Sequence, residues 1–207
     1  MATIIIAGDC ASDNKEQANS LSSCRDVELL IKECDYGIVN LEAVASDSHR
    51  FSNIAKQGPS LVAPEAFLGV IRDIGFKAVT LANNHILDYG QPGLSDTLLE
   101  LDENGISHLG AGLNQAEAQK PFLRVINGLR ICILNACEKE FNITSRQSPG
   151  ANPFEITSIL DDIEINRPKC DYLILFYHGG IESYNLPTPE MQEKLSFLVK
   201  KGVDLII

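Results

Sequence analysis

"KAVTLANNHILDYG", Lys77 to Gly90, decides how the chain is read. Its first six residues form an apolar run of the length of a strand buried on both faces, and two asparagines, a histidine and an aspartate stand directly behind it. In open α/β sheets, ligands sit outside the carboxyl ends of the strands, so polar groups following a buried run are where chemistry is expected.

The same pattern extends in both directions. "TIIIAG" (3–8), "YGIVNL" (36–41), "RICILNA" (130–136), "DYLILFYH" (171–178) and "VDLII" (203–207) are five further strand-like runs. Between the runs, 63–75, 93–105 and 188–202 repeat apolar residues at helical spacing and stop at glycine, as helices do when a left-handed residue closes them. Thr188 and Pro189 form a helix start, a hydroxyl cap followed by a residue that lacks the amide hydrogen a first turn would leave unused. The alternation predicts an α/β fold. Asn127-Gly128 joins two strand-like runs in "PFLRVINGLRICILNA", the dipeptide of a tight hairpin, so one antiparallel pair makes the sheet mixed. The polar stretch 138–153 is expected as a long surface loop over one end of the sheet. No repeat of 20 to 50 residues is visible, and 207 residues suit a single domain, 1–207.

The net charge of -11 opposes nonspecific attraction to nucleic acid or to an anionic membrane, both of them polyanions. No apolar stretch reaches the ~20 residues that a spanning helix needs. "MATIIIAGDC" lacks the basic start and the length of a signal peptide, and the chain is read as cytoplasmic. Cys10, Cys24, Cys34, Cys132, Cys137 and Cys170 are scattered without CxxC spacing, which argues against a zinc knuckle or a disulfide framework and suits reduced thiols. No GxGxxG or GxxxxGK[ST] loop follows a strand, which argues against a nucleotide-binding α/β domain.

The residues behind the runs are Asp9, then Asn40 and Glu42, then Asn83, Asn84, His85 and Asp88, then Asn135 and Glu138, then His178 and Glu182. Singly, each has an ordinary explanation: a turn aspartate, an asparagine capping a helix start, a surface glutamate. Together, on five strands, they point to a divalent-metal site. Hard oxygens mixed with imidazole suit Mn, Fe, Zn or Mg, as one ion or as a pair that clamps a phosphoryl or carbonyl oxygen. In such a site the Asn84 amide oxygen completes a metal shell while the adjacent His85 protonates a leaving group.

"GDC", "IVNLEAV", "LANNHILDYGQPGLSDTL", "GISHLGAGLNQAEAQKP", "NGLRICILNA" and "YHGGIESY" resemble, in order and spacing, the CapA-like family of poly-γ-glutamate capsule synthesis proteins, within the calcineurin-like metallophosphoesterase superfamily. The resemblance implies a four-layer αββα sandwich with two mixed sheets, and usually a dinuclear metal centre. It implies Asp9, Glu42, Asn84 and His178 as metal ligands and His85 as the catalytic histidine. Asn83, Asp88 and Glu182 are then substrate-contacting or supporting positions. Ala11 stands where the superfamily has a histidine, and Glu42 replaces an aspartate-bearing element. The family continues beyond the strand at 203–207 into a Gly-His element, so the chain is expected to be C-terminally truncated.

The implied function is metal-dependent hydrolysis of a phosphoester or amide bond, with a metal-bound hydroxide attacking and His85 protonating the leaving group. The implied substrate is an anionic polymer or a phosphoester. A polymer-binding or assembly protein that keeps the fold without turnover is the alternative. An acidic chain repels polyglutamate except where bound cations reverse the local field, so metal would serve binding as well as chemistry.

Overall fold

The computed structural model describes residues 1–11, 25–46, 50–181 and 183–207; Cys24 and Glu182 of the sequence reading lie outside the described residues. The apolar runs divide between two four-stranded sheets. The first is ordered β1 (Ile4–Cys10), β2 (Tyr36–Leu41), β5 (Phe76–Thr80), β6 (Ser107–Leu109), with every neighbour parallel. The second is ordered β12 (Leu205–Ile206), β11 (Tyr172–His178), β9 (Leu129–Cys137), β8 (Phe122–Ile126), and it carries the mixed pairing. Its antiparallel member is the β8–β9 hairpin, turned at Asn127 (φ 47°) and Gly128 (φ 83°), two successive left-handed residues as the dipeptide predicts.

Successive side chains of a strand point to opposite faces, and the three buried clusters follow from that. On β9, Ile131 and Ile133 face one way and Cys132, Leu134 and Ala136 the other; on β11, Ile174 and Phe176 oppose Leu173 and Leu175. The first set of each meets Tyr36 and Ile38 of β2 and Ala78 of β5, forming an apolar layer between the two sheets. The second set packs on Ile159 and Ile163 of α5 (Ile156–Asn166) and Leu198 of α6 (Pro189–Lys200). Across the first sheet, Val39, Leu41 and Val79 meet Leu68 and Ile71 of α2 (Ala66–Ile74) and Leu94 and Leu101 of α3 (Gly90–Glu103). Helix, sheet, sheet, helix is the αββα order that the sequence resemblance implies.

Local rules set the helix ends. α2 stops where Gly75 turns left-handed (φ 116°) and its amide hydrogen bonds back to the Arg72 carbonyl at 2.9 Å. α6 starts on Thr188, whose hydroxyl accepts from the Met191 amide at 3.2 Å, a cap worth about 1 kcal/mol. α5 was not read from the sequence because no glycine closes it: its C-cap is Arg167, and it runs on into a 3₁₀ turn, Arg167–Lys169.

The 138–153 segment differs from the surface loop expected. Asn142 and Ala151 are fully buried, and β10 (Gly150–Ala151) pairs antiparallel with β7 (Ala111–Gly112). Lys139, Glu140 and 145–147 are exposed, but its asparagines work inside: Asn152 Nδ2 donates to the Asn135 carbonyl at 2.8 Å, and Asn142 donates to that of Asn83. Among the described residues no helix is long and apolar enough to cross a membrane, and none of the described cysteines is in a disulfide.

Candidate functional site

Strand register brings the run-end residues together. In the first sheet Asp9 pairs with Asn40 and Asn40 with Thr80, while in the second His178 pairs with Cys137. The β1 register shifts between Ile6 and Asp9, an irregularity of the kind that re-aims a side chain near a site. Because both sheets end at the same side, His178 reaches across the gap between them. Its Nδ1 lies 3.5 Å from Asp9 Oδ1 and 3.3 Å from Asn40 Nδ2; its Nε2 lies 3.2 Å from Asn84 Oδ1 and 3.7 Å from Glu42 Oε1.

Asn40 is the hub that the sequence placed at a strand end without giving it a role. Its Nδ2 donates to Asp9 Oδ1 at 2.7 Å, and its Oδ1 accepts from Thr80 Oγ1 at 3.1 Å and Asn83 Nδ2 at 3.2 Å. Alternation could have found it, since an asparagine inside a run as apolar as "YGIVNL" must be hydrogen-bonded.

The turn after β5 sets the other half. Asn83 is fully buried; its Nδ2 donates to the Leu41 carbonyl at 2.7 Å and its Oδ1 accepts the His85 amide at 3.0 Å. It therefore locks the turn, the capping use open to it in the sequence. His85 Nδ1 lies 2.7 Å from Oδ2 of the fully buried Asp88, and His85 Nε2 points toward Glu42 Oε1, 3.9 Å away. Lys56, in a polar stretch that carries no periodic signal, forms an ion pair with Asp88 from beneath and is a residue that the sequence reading missed.

Asp9, Asn40, Glu42, Asn84 and His178 line the floor of an open cleft of about 760 Å³, and Tyr184, Leu186 and Met191 are on its wall. The two carboxylates are driven apart. The hydrogen bond with His178, aided by Asn40, outweighs burial and holds Asp9 below the usual carboxylate range. Burial, then repulsion from Asp9, pushes Glu42 up. Burial opposes charge on His178, but the hydrogen bond and attraction to Asp9 outweigh it and raise its pKa. Carboxylates whose environments separate their pKa values in one cleft take different chemical roles.

Among the described residues no three His, Cys, Asp or Glu side chains are arranged to hold a metal ion. The reason lies in the His178 ring: Asp9 faces Nδ1 and Glu42 faces Nε2, so no single point is reached by all three. The amide changes that balance. Asn84 Oδ1 and Glu42 Oε1 both approach Nε2, giving two oxygens and one imidazole nitrogen, a donor set whose chemistry fits a divalent ion such as Mn or Zn.

A family model for "Bacterial capsule synthesis protein PGA_cap" matches residues 3–207. The chain is 27% identical over 191 residues to the capsule biosynthesis protein CapA of Bacillus anthracis, covering 88% of this chain and 46% of that protein. It is 25% identical over 207 residues to the PGA biosynthesis protein CapA of Bacillus subtilis, covering 98% and 54%. A Mycobacterium tuberculosis protein described as a polyglutamine synthesis accessory protein is 40% identical over 140 residues, covering 61% and 37%. The chain thus spans about half the length of the Bacillus relatives it matches. In structure it is similar, with a TM-score of 0.65 at 15% identity, to a Staphylococcus aureus protein described as a 5'-nucleotidase and solved with α-ketoglutarate. That likeness covers 99% of this chain and 44% of the other, and it shows the fold.

Proposed function

Since the chain belongs to the bacterial capsule synthesis protein PGA_cap family, we propose that its cleft is a metal-assisted hydrolytic site for a phosphoester or amide bond in polyglutamate capsule synthesis or processing. The observation that carries this reading is the meeting of Asn84, Glu42 and His178 within 3.2 to 3.7 Å, beside an imidazole backed by a buried aspartate.

Asn84 Oδ1, Glu42 Oε1 and His178 Nε2 would hold a divalent ion. When bound, such an ion polarises a phosphoryl or carbonyl oxygen and makes water a nucleophile at neutral pH. The remaining steps belong to the chain. Asp9 faces the Nδ1 side of the His178 ring, and Asn40, which donates to Asp9, holds that carboxylate in place. Asp88 accepts the Nδ1 proton of His85, which orients the ring; protonated at both nitrogens, the ring would hand its Nε2 proton to the departing oxygen or nitrogen and be left with the Nδ1 proton alone. An anionic polymer or a phosphoester enters a floor rich in carboxylates, so the cation also supplies the attraction that the protein lacks.

The test is metal content after dialysis against manganese or zinc, together with hydrolysis of p-nitrophenyl phosphate and poly-γ-glutamate. Metal uptake with turnover of either substrate supports the reading; neither uptake nor turnover overturns it. A second reading, polymer binding or assembly without turnover, is favoured by the absence among the described residues of three ligating His, Cys, Asp or Glu side chains. Retention of polyglutamate with its chain length unchanged would select it.

A further inference from the structure

The Lys56 side chain is only 2% exposed and its ammonium meets Asp88, a carboxylate with no exposure at all. Burying a lysine is costly unless it is paired, so its presence under the site asks for an explanation. The two oxygens of Asp88 divide their work. Oδ2 accepts the Leu61 amide at 2.7 Å and faces His85 Nδ1 at 2.7 Å. Oδ1 meets Lys56 Nζ and has no hydrogen-bond partner by geometry among the described residues. Without the ammonium, that oxygen would be a bare buried charge.

The segment around Lys56 is fastened to the same aspartate. The Ile54 amide donates to the Asp88 carbonyl at 2.8 Å, and the Leu61 amide donates to its side chain, so residues 54–61 bracket Asp88 with Lys56 between the two ties. Phe141 covers the ammonium, its ring centroid 5.1 Å from Nζ. Nζ also lies 3.2 Å from His85 Nδ1. A lysine only donates, so it would favour a bare Nδ1, yet the shorter approach of the Asp88 carboxylate requires a hydrogen on that nitrogen. The approach of Nζ to His85 Nδ1 is therefore not a hydrogen bond, and the ammonium meets Asp88 Oδ1 as an ion pair. Buried and engaged in this way, Lys56 is not placed to touch a substrate.

We propose that Lys56 is a positioning residue for His85: it fixes Asp88, and through it holds the imidazole with the proton on Nδ1 and with Nε2 turned toward the cleft. This rests on the hydrolytic reading for its consequence in turnover, but the ring state of His85 is measurable without turnover.

The experiment uses the full chain labelled with 15N-histidine, the four histidines being assigned by substituting His49, His85, His108 and His178 one at a time. In the wild type the neutral form of His85 should be a single tautomer protonated at Nδ1; a mixture of tautomers in the wild type overturns the proposal. Lys56→Met and the more polar Lys56→Gln both remove the ammonium. In whichever folds, the expected result is loss of the single tautomer. Turnover of p-nitrophenyl phosphate with manganese should fall about 100-fold in kcat, as misplacement of a reacting group does, with KM and manganese affinity within about twofold of wild type. A folded variant that keeps the pure Nδ1 species and its kcat overturns the proposal. If the wild type hydrolyses nothing, the hydrolytic reading fails while the nitrogen spectra still decide what Lys56 does.

Discussion

Asn135 places its side-chain oxygen 2.9 Å from the backbone nitrogen of Ala82, so an amide on β9 satisfies the chain where it leaves β5 of the other sheet. The Leu81 amide beside it also has the Leu109 carbonyl at 2.8 Å, but the Ala82 amide depends on Asn135. Asn135→Ala should therefore cost about 2 kcal/mol, the penalty for stranding a buried donor. Urea unfolding monitored by circular dichroism measures it, and a loss below about 0.5 kcal/mol would show that the amide finds another partner.

Gly110 is shaped by the same staple. It sits at φ 96°, and a Cβ there would fall 1.8 Å from Asn135 Oδ1 and 2.8 Å from the Ala82 nitrogen. Gly110→Ala should destabilise by about 3 kcal/mol or more, combining left-handed strain with overpacking. In an Asn135→Ala background part of that cost should vanish, because one of the two clashing groups is gone. A double-mutant cycle with a coupling energy of zero would contradict the shared geometry.

In the cleft, adjacent residues should behave differently. Asn84→Ala removes an oxygen facing His178 Nε2 and should weaken manganese or zinc binding about tenfold or more. His85→Ala should leave metal affinity within about twofold and lower kcat for p-nitrophenyl phosphate by about 100-fold or more. Calorimetric metal titration and steady-state kinetics on both variants check the division. Equal metal loss in the two would mean that His85 is itself a ligand.

Asp162 gives a pH signature away from the cleft. Burial, then repulsion from Asp161, raises its pKa to about 6. A carboxyl whose folded pKa lies above its unfolded value binds its proton more tightly when folded. Its penalty is therefore absent below about pH 4, grows as pH rises through about 6 and is constant above that. Asp162→Asn should thus stabilise by about 1 kcal/mol at pH 7.5, allowing for partial exposure, and by much less at pH 4. Thermal unfolding of both proteins at the two pH values reads it; equal gains at both would remove the charge as the cause.

The elements legible in the sequence were those with a local cause. Asn127-Gly128 specifies its turn, Thr188 and Gly75 mark their helix ends, and Asp9, Asn40, Glu42, Asn84 and His178 behind the apolar runs line one cleft. Two things were not legible. Runs such as "RICILNA" and "YGIVNL" announce burial on both faces, but whether they share one sheet depends on which faces meet, and that is settled by pairing far along the chain. Nor does residue type separate a ligand from a fastener. Asn40, Asn83 and Asn135 all stand at or just behind strand ends, yet each binds neighbouring backbone or side chains within the fold. Lys56 gave no sign because its environment is made by Asp88 and Phe141, neither of them near it in sequence.

The contact between Asn40 and His178 spans 138 residues of chain. Closing so long a span is entropically unfavourable until the apolar layer between the sheets is in place to offset it. During synthesis from the amino terminus, Asp9, Glu42, Asn84 and His85 all emerge before the second sheet exists. The cleft is then a half-site, its carboxylates and amide without the His178 imidazole, whose nitrogen it gains only when the sheets dock. Under the proposed metal-binding reading, an ion held by Asn84, Glu42 and His178 would report that the two halves of the sandwich have found each other.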